Sequence, residues 1–228
     1  MSDSHARLQQ RLGYQFRDPA LLQRALTHRS VGAGNNERLE FLGDGLLNFV
    51  VAQHLYQDRP RAEEGALTRL RASLVREETL AQLARELQLS EALHLGESEL
   101  KSGGFRRDSI LADALEAILG AIFLDSGYET ARDTCLRWYT GVLQTLPDPE
   151  SLKDPKTRLQ EWLQAQSRPL PLYEVLAESG PAHRRRFQVQ CRLLDGPQSA
   201  QAEGSSRRNA EQQAAETLLQ ELKAVSHA

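Results

Sequence analysis

The sequence predicts a multidomain chain, an all-α domain followed by a small α+β domain of order α-β-β-β-α. Three observations predict it. Apolar residues recur at three- and four-residue spacing through most of residues 1–146. The stretch Leu146-Pro-Asp-Pro-Glu-Ser-Leu-Lys-Asp-Pro155 carries three prolines, so it cannot continue a helix, and it has little to bury. Beyond it, Phe187-Gln-Val-Gln-Cys-Arg-Leu193 alternates apolar and polar with period two, the pattern of a half-buried strand. The expected division is a domain at 1–146, a Pro-rich linker at 147–155 and a domain at 156–226.

In the first domain the helical pattern covers Pro19 to Leu26, Glu37 to Leu55, Gly65 to Leu87, Ser109 to Leu124 and Thr130 to Leu146. Turn residues separate these runs at Gly32-Ala-Gly34, Asp58-Arg-Pro60 and Ser102-Gly-Gly104. In the second domain Thr157 to Gln166 reads as a helix and Tyr173 to Leu176 as a short strand. Phe187 to Leu193 is the clear strand, Asp195-Gly-Pro197 turns into a third strand at Ser199 to Glu203, and Ser206 to Ala224 is helical. That order makes a two-layer domain with one sheet face covered.

Composition excludes several classes. The 228 residues are 40% hydrophobic and 26% charged, ordinary for a globular protein, so wholesale disorder is excluded. No apolar run approaches the ~18 residues of a membrane span, and Met1 to Gln10 lacks the apolar core of a signal peptide. The expectation is therefore neither secretion nor a membrane. Cys135 and Cys191 are too few for a disulfide framework or a zinc site, and fit a reducing cytoplasm. Residues 1–150 carry 17 Lys+Arg against 22 Asp+Glu, and residues 151–228 carry 11 against 9. An acidic body thus precedes a slightly basic tail domain.

The acids are not scattered. At about 100° per residue, Glu37, Glu40 and Asp44 share an arc of about 60°, while Leu42, Leu46, Phe49 and Val50 lie on the opposite side. No basic residue three or four positions on compensates these acids. The run Ser109 to Leu124 is apolar nearly all round, as a buried helix is, and carries only Asp113 and Glu116 as charges. Buried ionised carboxylates are costly unless paired or bound to metal. Two readings stand: an ion pair with Arg106 or Arg107, or a cation site in which Glu40 and Asp44 face Asp113 and Glu116. Ala114, Ala117, Gly120 and Ala121 would let the other helix pack close. An all-oxygen cluster suits Mg²⁺ or Mn²⁺. A di-iron bundle would need two Glu-x-x-His pairs, and Glu91 with His94 is only one. Divalent metal on carboxylates is the usual equipment for phosphodiester hydrolysis.

Asn36-Glu-Arg-Leu-Glu-Phe-Leu-Gly-Asp44 resembles the signature of the ribonuclease III family. Lys101 to Glu116 and Leu26-Thr-His-Arg-Ser30 resemble two further motifs of that family, and the resemblance spans nearly the whole chain. It implies a Mg²⁺-dependent endoribonuclease, with Mn²⁺ able to substitute, cutting double-stranded RNA to 5′-phosphate and 3′-hydroxyl ends. Its substrates would be ribosomal RNA precursors, some messenger and transfer RNAs, and antisense duplexes. By resemblance Glu40, Asp113 and Glu116 are metal ligands, Asp44 and Glu116 are catalytic, and Glu37 and Glu64 are outer acids near substrate or a second metal. Gly45 departs from the family, which has Ser or Ala there. Phe41, by its position an ordinary core aromatic or an interface residue, is placed by the family at a homodimer interface. His28 is read as structural.

In the tail domain Thr157, Gln160, Glu161 and Gln164 form a polar stripe opposite Leu159, Trp162 and Leu163. Arg207 and Arg208 stand at a helix N-terminus, where the helix dipole disfavours cations unless an anion docks. Gly180-Pro-Ala-His-Arg-Arg-Arg186 is a basic loop. Gly204 to Ala215 resembles the C-terminal motif of the double-stranded RNA-binding domain. The resemblance implies RNA contacts from Thr157, Gln160, Glu161 and Gln164, from His183, and from Ser206, Arg207 and Arg208. A nuclease-like protein that holds duplex RNA without cutting it is the alternative.

Overall fold

The computed structural model describes residues 3–181 and 184–226. It divides into two compact units, Met1–Leu152 and Lys153–Ala228.

The first unit is helical: α1 (Asp3–Leu12), α2 (Pro19–Ala25), α3 (Glu37–Asp58), α4 (Glu64–Val75), α5 (Glu77–Glu86), α6 (Glu97–Lys101), α7 (Asp108–Trp138) and α8 (Thr140–Gln144). Pro19 sits in the first turn of α2, where its missing N–H costs nothing, and Asp18 caps that turn by accepting from the Ala20 amide. The centre of the unit is α7, whose residues from Ile110 to Ile122 are almost all buried, with α3 and α5 packed along it.

The structure adds one helix to those expected and divides another. The polar N-terminal stretch forms α1, anchored by Leu8 and Leu12 one turn apart in the core. The single helix expected at Gly65 to Leu87 is two, broken at Arg76, which is extended at φ −71°, ψ 153°. A straight helix would place Glu77 within about 20° of buried Leu70, and the corner instead sends Glu77 and Glu78 outward at the start of α5. The two helices expected at Ser109 to Leu124 and Thr130 to Leu146 meet within α7 at a kink at Gly127, whose φ of 81° and ψ of −179° are open to glycine and not to a side chain, and the second ends at Trp138.

The second unit has α9 (Pro155–Ala165), β1 (Leu172–Ser179), β2 (Arg186–Arg192), β3 (Ser199–Gly204) and α10 (Arg207–Ser226). The sheet is antiparallel in the order β1-β2-β3, with Val175 opposite Val189 and Val189 opposite Ala202. Both helices cover one face, closing a core of Leu159, Leu163, Cys191, Ala200, Ala214 and Leu218. β1 is longer than its sequence pattern suggested. It is an exposed edge strand with an irregularity between Val175 and Ala177, which breaks the alternation.

The Pro-rich stretch is held at both ends. Leu146 and Leu152 pack on the first core, and Arg69 Nε donates to the Pro149 carbonyl at 3.1 Å. Asp154 caps α9, accepting from the Thr157 amide at 3.1 Å.

Candidate active site

The site is made by the crossing of α3 and α7. A Cβ placed on Gly43 would lie 1.8 Å from the Glu116 carbonyl oxygen, and one on Gly120 would lie 2.4 Å from the Leu39 carbonyl oxygen. Main chain therefore meets main chain, and the side chains beside those glycines converge. The buried stripe of α3 is Leu39, Gly43, Leu47, Val50 and Val51. This corrects the expected buried face: Leu42 and Leu46 are only half-buried and Phe49 is exposed. Glu40 lies within the angular range of the buried stripe rather than opposite it.

Glu40, Asp113 and Glu116 each offer a carboxylate oxygen, and these oxygens all lie within 4.8 Å of one another. Burial, then the charges of Asp44, Asp113 and Glu40, push the Glu116 carboxyl up to about 8. Burial and the neighbouring Asp113 and Glu37 raise Glu40, against a smaller opposing effect of Arg29. Asp113 is raised by burial and Glu77, with His28 and Arg29 opposing. Among the described residues no cation pairs with any of the three. Arg107 is committed to Glu99 at 2.9 Å and Arg106 lies over the Phe105 ring. The ion-pair reading of Asp113 and Glu116 is thereby excluded for those two arginines. A cluster of half-buried like charges without a counterion fits a divalent cation held by oxygen ligands.

The other acids stand differently. Asp44 is exposed, and its Oδ1 and main-chain carbonyl accept from Asn48 at 2.8 and 3.0 Å. It lies close enough to raise Glu116 and Glu40, outside the three-oxygen group. Glu37 lines a cleft of about 340 Å³ with Glu40 and Asp113, and accepts from Asn35 Nδ2 at 3.1 Å. Glu64 is not brought there within this chain. It accepts from Thr68 Oγ1 at 2.7 Å and lines a separate groove with Phe49, Tyr56 and Leu67. Phe41 is 83% exposed, so it is no core aromatic. It borders a second cleft of about 530 Å³ with Leu42 and Leu124.

Arg29 and Arg107 line the acidic cleft. Arg107 was a candidate partner of the acids in the sequence, whereas Arg29, which lies outside the regular helices where periodicity carries signal, was missed. His28, read as structural, is buried and caps the turn after it by accepting from the Ser30 amide.

In the second unit Gln160 and Gln164 are exposed along α9. Glu161 is exposed but paired with Lys153 at 2.6 Å, and the Thr157 hydroxyl donates to Asp154. Ser206 caps α10, accepting from the Asn209 amide at 3.1 Å. Arg207 is tied to Glu211, which also holds Lys156, each at 2.8 Å. Burial pushes the Glu211 carboxyl up, but hydrogen bonds from Lys156 and Arg207 outweigh it and hold it below its ordinary value. Arg208 is exposed, and no described residue pairs with it. His183 lies outside the described residues. Arg185, just before β2, pairs with Glu178, and Arg186, the first residue of β2, pairs with Glu203.

Comparison with known proteins agrees with both units. Residues 18–143 match the Ribonuclease-III-like family, and residues 155–222 match the Double-stranded RNA binding motif. The chain is 60% identical over 215 residues to Ribonuclease 3 of Alkalilimnicola ehrlichii, covering 94% of each chain. It is 53% identical over 222 residues to Ribonuclease 3 of Aliivibrio fischeri, covering 97% of this chain and 100% of that one. The crystal structure of the nuclease domain of ribonuclease III from Campylobacter jejuni matches with a TM-score of 0.61 at 41% identity, over 64% of this chain and 100% of that one. A second structure of that nuclease domain, described for flexibility in a region involved in dimer formation, matches at 0.58 and 45% identity, over 59% of this chain and 95% of that one. The chain belongs to the ribonuclease III family, with a helical nuclease domain followed by a double-stranded RNA binding motif.

Proposed function

We propose that the protein is a Mg²⁺-dependent endonuclease of double-stranded RNA, working as a homodimer in the cytoplasm. The observation that carries this reading is the group of Glu40, Asp113 and Glu116, three converging carboxylates that no described residue pairs with. These residues would hold the metal, and Mn²⁺ would substitute in the same oxygen set. Bound there, Mg²⁺ supplies an activated, oriented water and neutralises charge on the leaving oxygen. The protein's own part is placement. The glycine crossing fixes Glu40 against Asp113 and Glu116, and Asn48 orients Asp44 at the solvent edge, where its carboxylate would accept from water or from substrate hydroxyls. Glu37 on the cleft wall and Glu64 in its separate groove would act as outer acids. Products would carry 5′-phosphate and 3′-hydroxyl ends. Substrates would be ribosomal RNA precursors, some messenger and transfer RNAs, and antisense duplexes.

The second unit would hold the duplex by shape, through Thr157, Gln160, Glu161 and Gln164 on α9, through His183, and through Ser206, Arg207 and Arg208 at the start of α10. Buried, unpaired Cys135 and Cys191 suit a reducing compartment. Among the described residues no helix is long and apolar enough to cross a membrane.

The test uses a long labelled duplex and the matching single strand, each with Mg²⁺ or EDTA. Duplex-only, Mg²⁺-dependent products support the reading. An intact duplex that still shifts on a gel replaces it with a binding protein.

Two further outcomes are expected. Arg208→Ala lowers the salt slope of duplex binding by about 1, the loss of one phosphate contact, with little change in stability. The measurement is duplex affinity in Ca²⁺ from low to moderate salt, and an unchanged slope removes Arg208 from the interface. Arg207→Ala is the less clean probe, because it also removes a partner of Glu211. Phe41→Ala raises the dimer dissociation constant by about thirtyfold, as loss of an exposed aromatic anchor of about 2 kcal/mol would. Sedimentation equilibrium checks it, and wild-type dimerisation in the variant would take Phe41 out of the interface.

A further inference from the structure

We propose that Arg29 is a substrate-positioning residue that takes a backbone phosphate of the RNA beside the carboxylate cluster; this rests on the nuclease reading above.

The backbone under Arg29 is held by hydrogen bonds on both sides. It begins a three-residue turn, Arg29–Val31, capped by His28 Nδ1, which accepts the Ser30 amide at 3.2 Å. The Ser30 hydroxyl in turn accepts the Gly96 amide at 2.9 Å. Gly96 is pressed against this turn, since a Cβ on it would lie 2.5 Å from the Ser30 carbonyl oxygen. On the near side the His28 amide donates to the His94 carbonyl at 3.0 Å, and the Asn36 amide donates to the Thr27 carbonyl at 2.8 Å. The Arg29 side chain is exposed.

That side chain lines the acidic cleft together with Glu37, Glu40 and Asp113. Its charge reaches both Glu40 and Asp113, opposing the rise that burial gives each. Yet no described carboxylate comes within ion-pair distance of its guanidinium, whereas Arg107 in the same cleft is held by Glu99 at 2.9 Å. Arg29 is thus the uncommitted cation of this cleft among its described lining residues.

Its position sets up a conflict of signs. A positive charge beside a divalent-cation site repels the cation and weakens its binding. The same charge attracts a phosphodiester, and a guanidinium presents two parallel donors to phosphate oxygens where a lysine offers a point charge. If Arg29 only balanced the acids, removing it would tighten metal binding and leave cleavage unchanged or faster. If it holds phosphate, removing it tightens metal binding and slows cleavage.

The experiment uses the full-length protein with Arg29→Gln and Arg29→Lys. Mn²⁺ binding without RNA is measured by calorimetry, and single-turnover duplex cleavage is measured at saturating metal across RNA concentrations. For Arg29→Gln the expected result is Mn²⁺ binding tightened by a few-fold, with cleavage efficiency reduced by about ten- to a hundredfold. Arg29→Lys should recover part of the cleavage. Cleavage at or above the wild-type rate in Arg29→Gln overturns the proposal, as does weakened Mn²⁺ binding, which would mark a structural role. A wild-type protein that neither binds Mn²⁺ nor cuts duplex RNA overturns the nuclease reading itself, and is separable because it needs no variant.

Discussion

Glu116→Gln is expected to lower duplex cleavage at least about a thousandfold at moderate Mg²⁺, the scale of losing a group that stabilises transition-state charge. Duplex binding in Ca²⁺ should change little, because the second unit carries the proposed RNA surface. Glutamine keeps the shape of the side chain and removes the charge that a cation would use. The substitution also has a thermodynamic signature independent of RNA. In the metal-free protein the Glu116 carboxyl titrates at about 8, raised from 4.5 by burial and by Asp44, Asp113 and Glu40. Between those values the native state holds a proton that the unfolded chain has released. The stability tied to that proton is fully present below about 4.5 and is lost as pH rises through about 8. In EDTA, therefore, the wild-type melting temperature should fall from pH 6 to pH 8.5 by more than that of Glu116→Gln. Saturating Mg²⁺ should suppress the wild-type loss, since a bound cation compensates the ionised cluster. Equal pH slopes in the two proteins, or full cleavage by the variant, would remove Glu116 from the metal site.

The carboxylates were legible in the sequence, and their geometry was only partly so. Spacing identified Asp113 and Glu116 as charges on an otherwise apolar helix, and the structure buries that helix as expected. The face of α3 was misjudged. A hydrophobicity wheel weights Leu42, Leu46 and Phe49 and gives Gly43 nothing, yet Gly43 is where α7 touches. The buried side of α3 is set by the closest approach of two backbones, and Phe49 is left exposed in exchange. The corner at Arg76 was hidden for a related reason. Periodic apolar spacing resumes after it, and no glycine or proline marks the break. Arg29 was invisible because a residue far along the chain reaches a site only through folds in the chain. In the second unit the polar stripe of α9 was readable, but the ties from Lys153 to Glu161 and from Lys156 to Glu211 were not. The first depends on where the chain before α9 turns back, and the second on α10 returning against α9.

Gly43→Ala is expected to destabilise the first unit by about 3 kcal/mol or more, at the upper end of overpacking costs. Gly45→Ala, two residues on, is expected to stabilise it by about 1 kcal/mol. An alanine Cβ at position 43 would sit 1.8 Å from the Glu116 carbonyl oxygen and 2.5 Å from its carbon. Neither atom is the end of a flexible side chain, so α3 and α7 must move apart. That movement separates Glu40 from Asp113 and Glu116, so Mn²⁺ affinity should fall together with stability. At position 45 a Cβ meets nothing within 4 Å, on an exposed stretch of the same helix. There alanine only reduces the freedom of the unfolded chain and improves helix propensity, and its melting temperature should rise by about 2–4 °C. Thermal unfolding and Mn²⁺ titration of the two variants check both. Helix propensity favours alanine at both positions, so it cannot produce opposite signs. Only a backbone contact at one glycine and open solvent at the other can, and two variants of equal stability would mean that α3 and α7 do not cross main chain to main chain at Gly43.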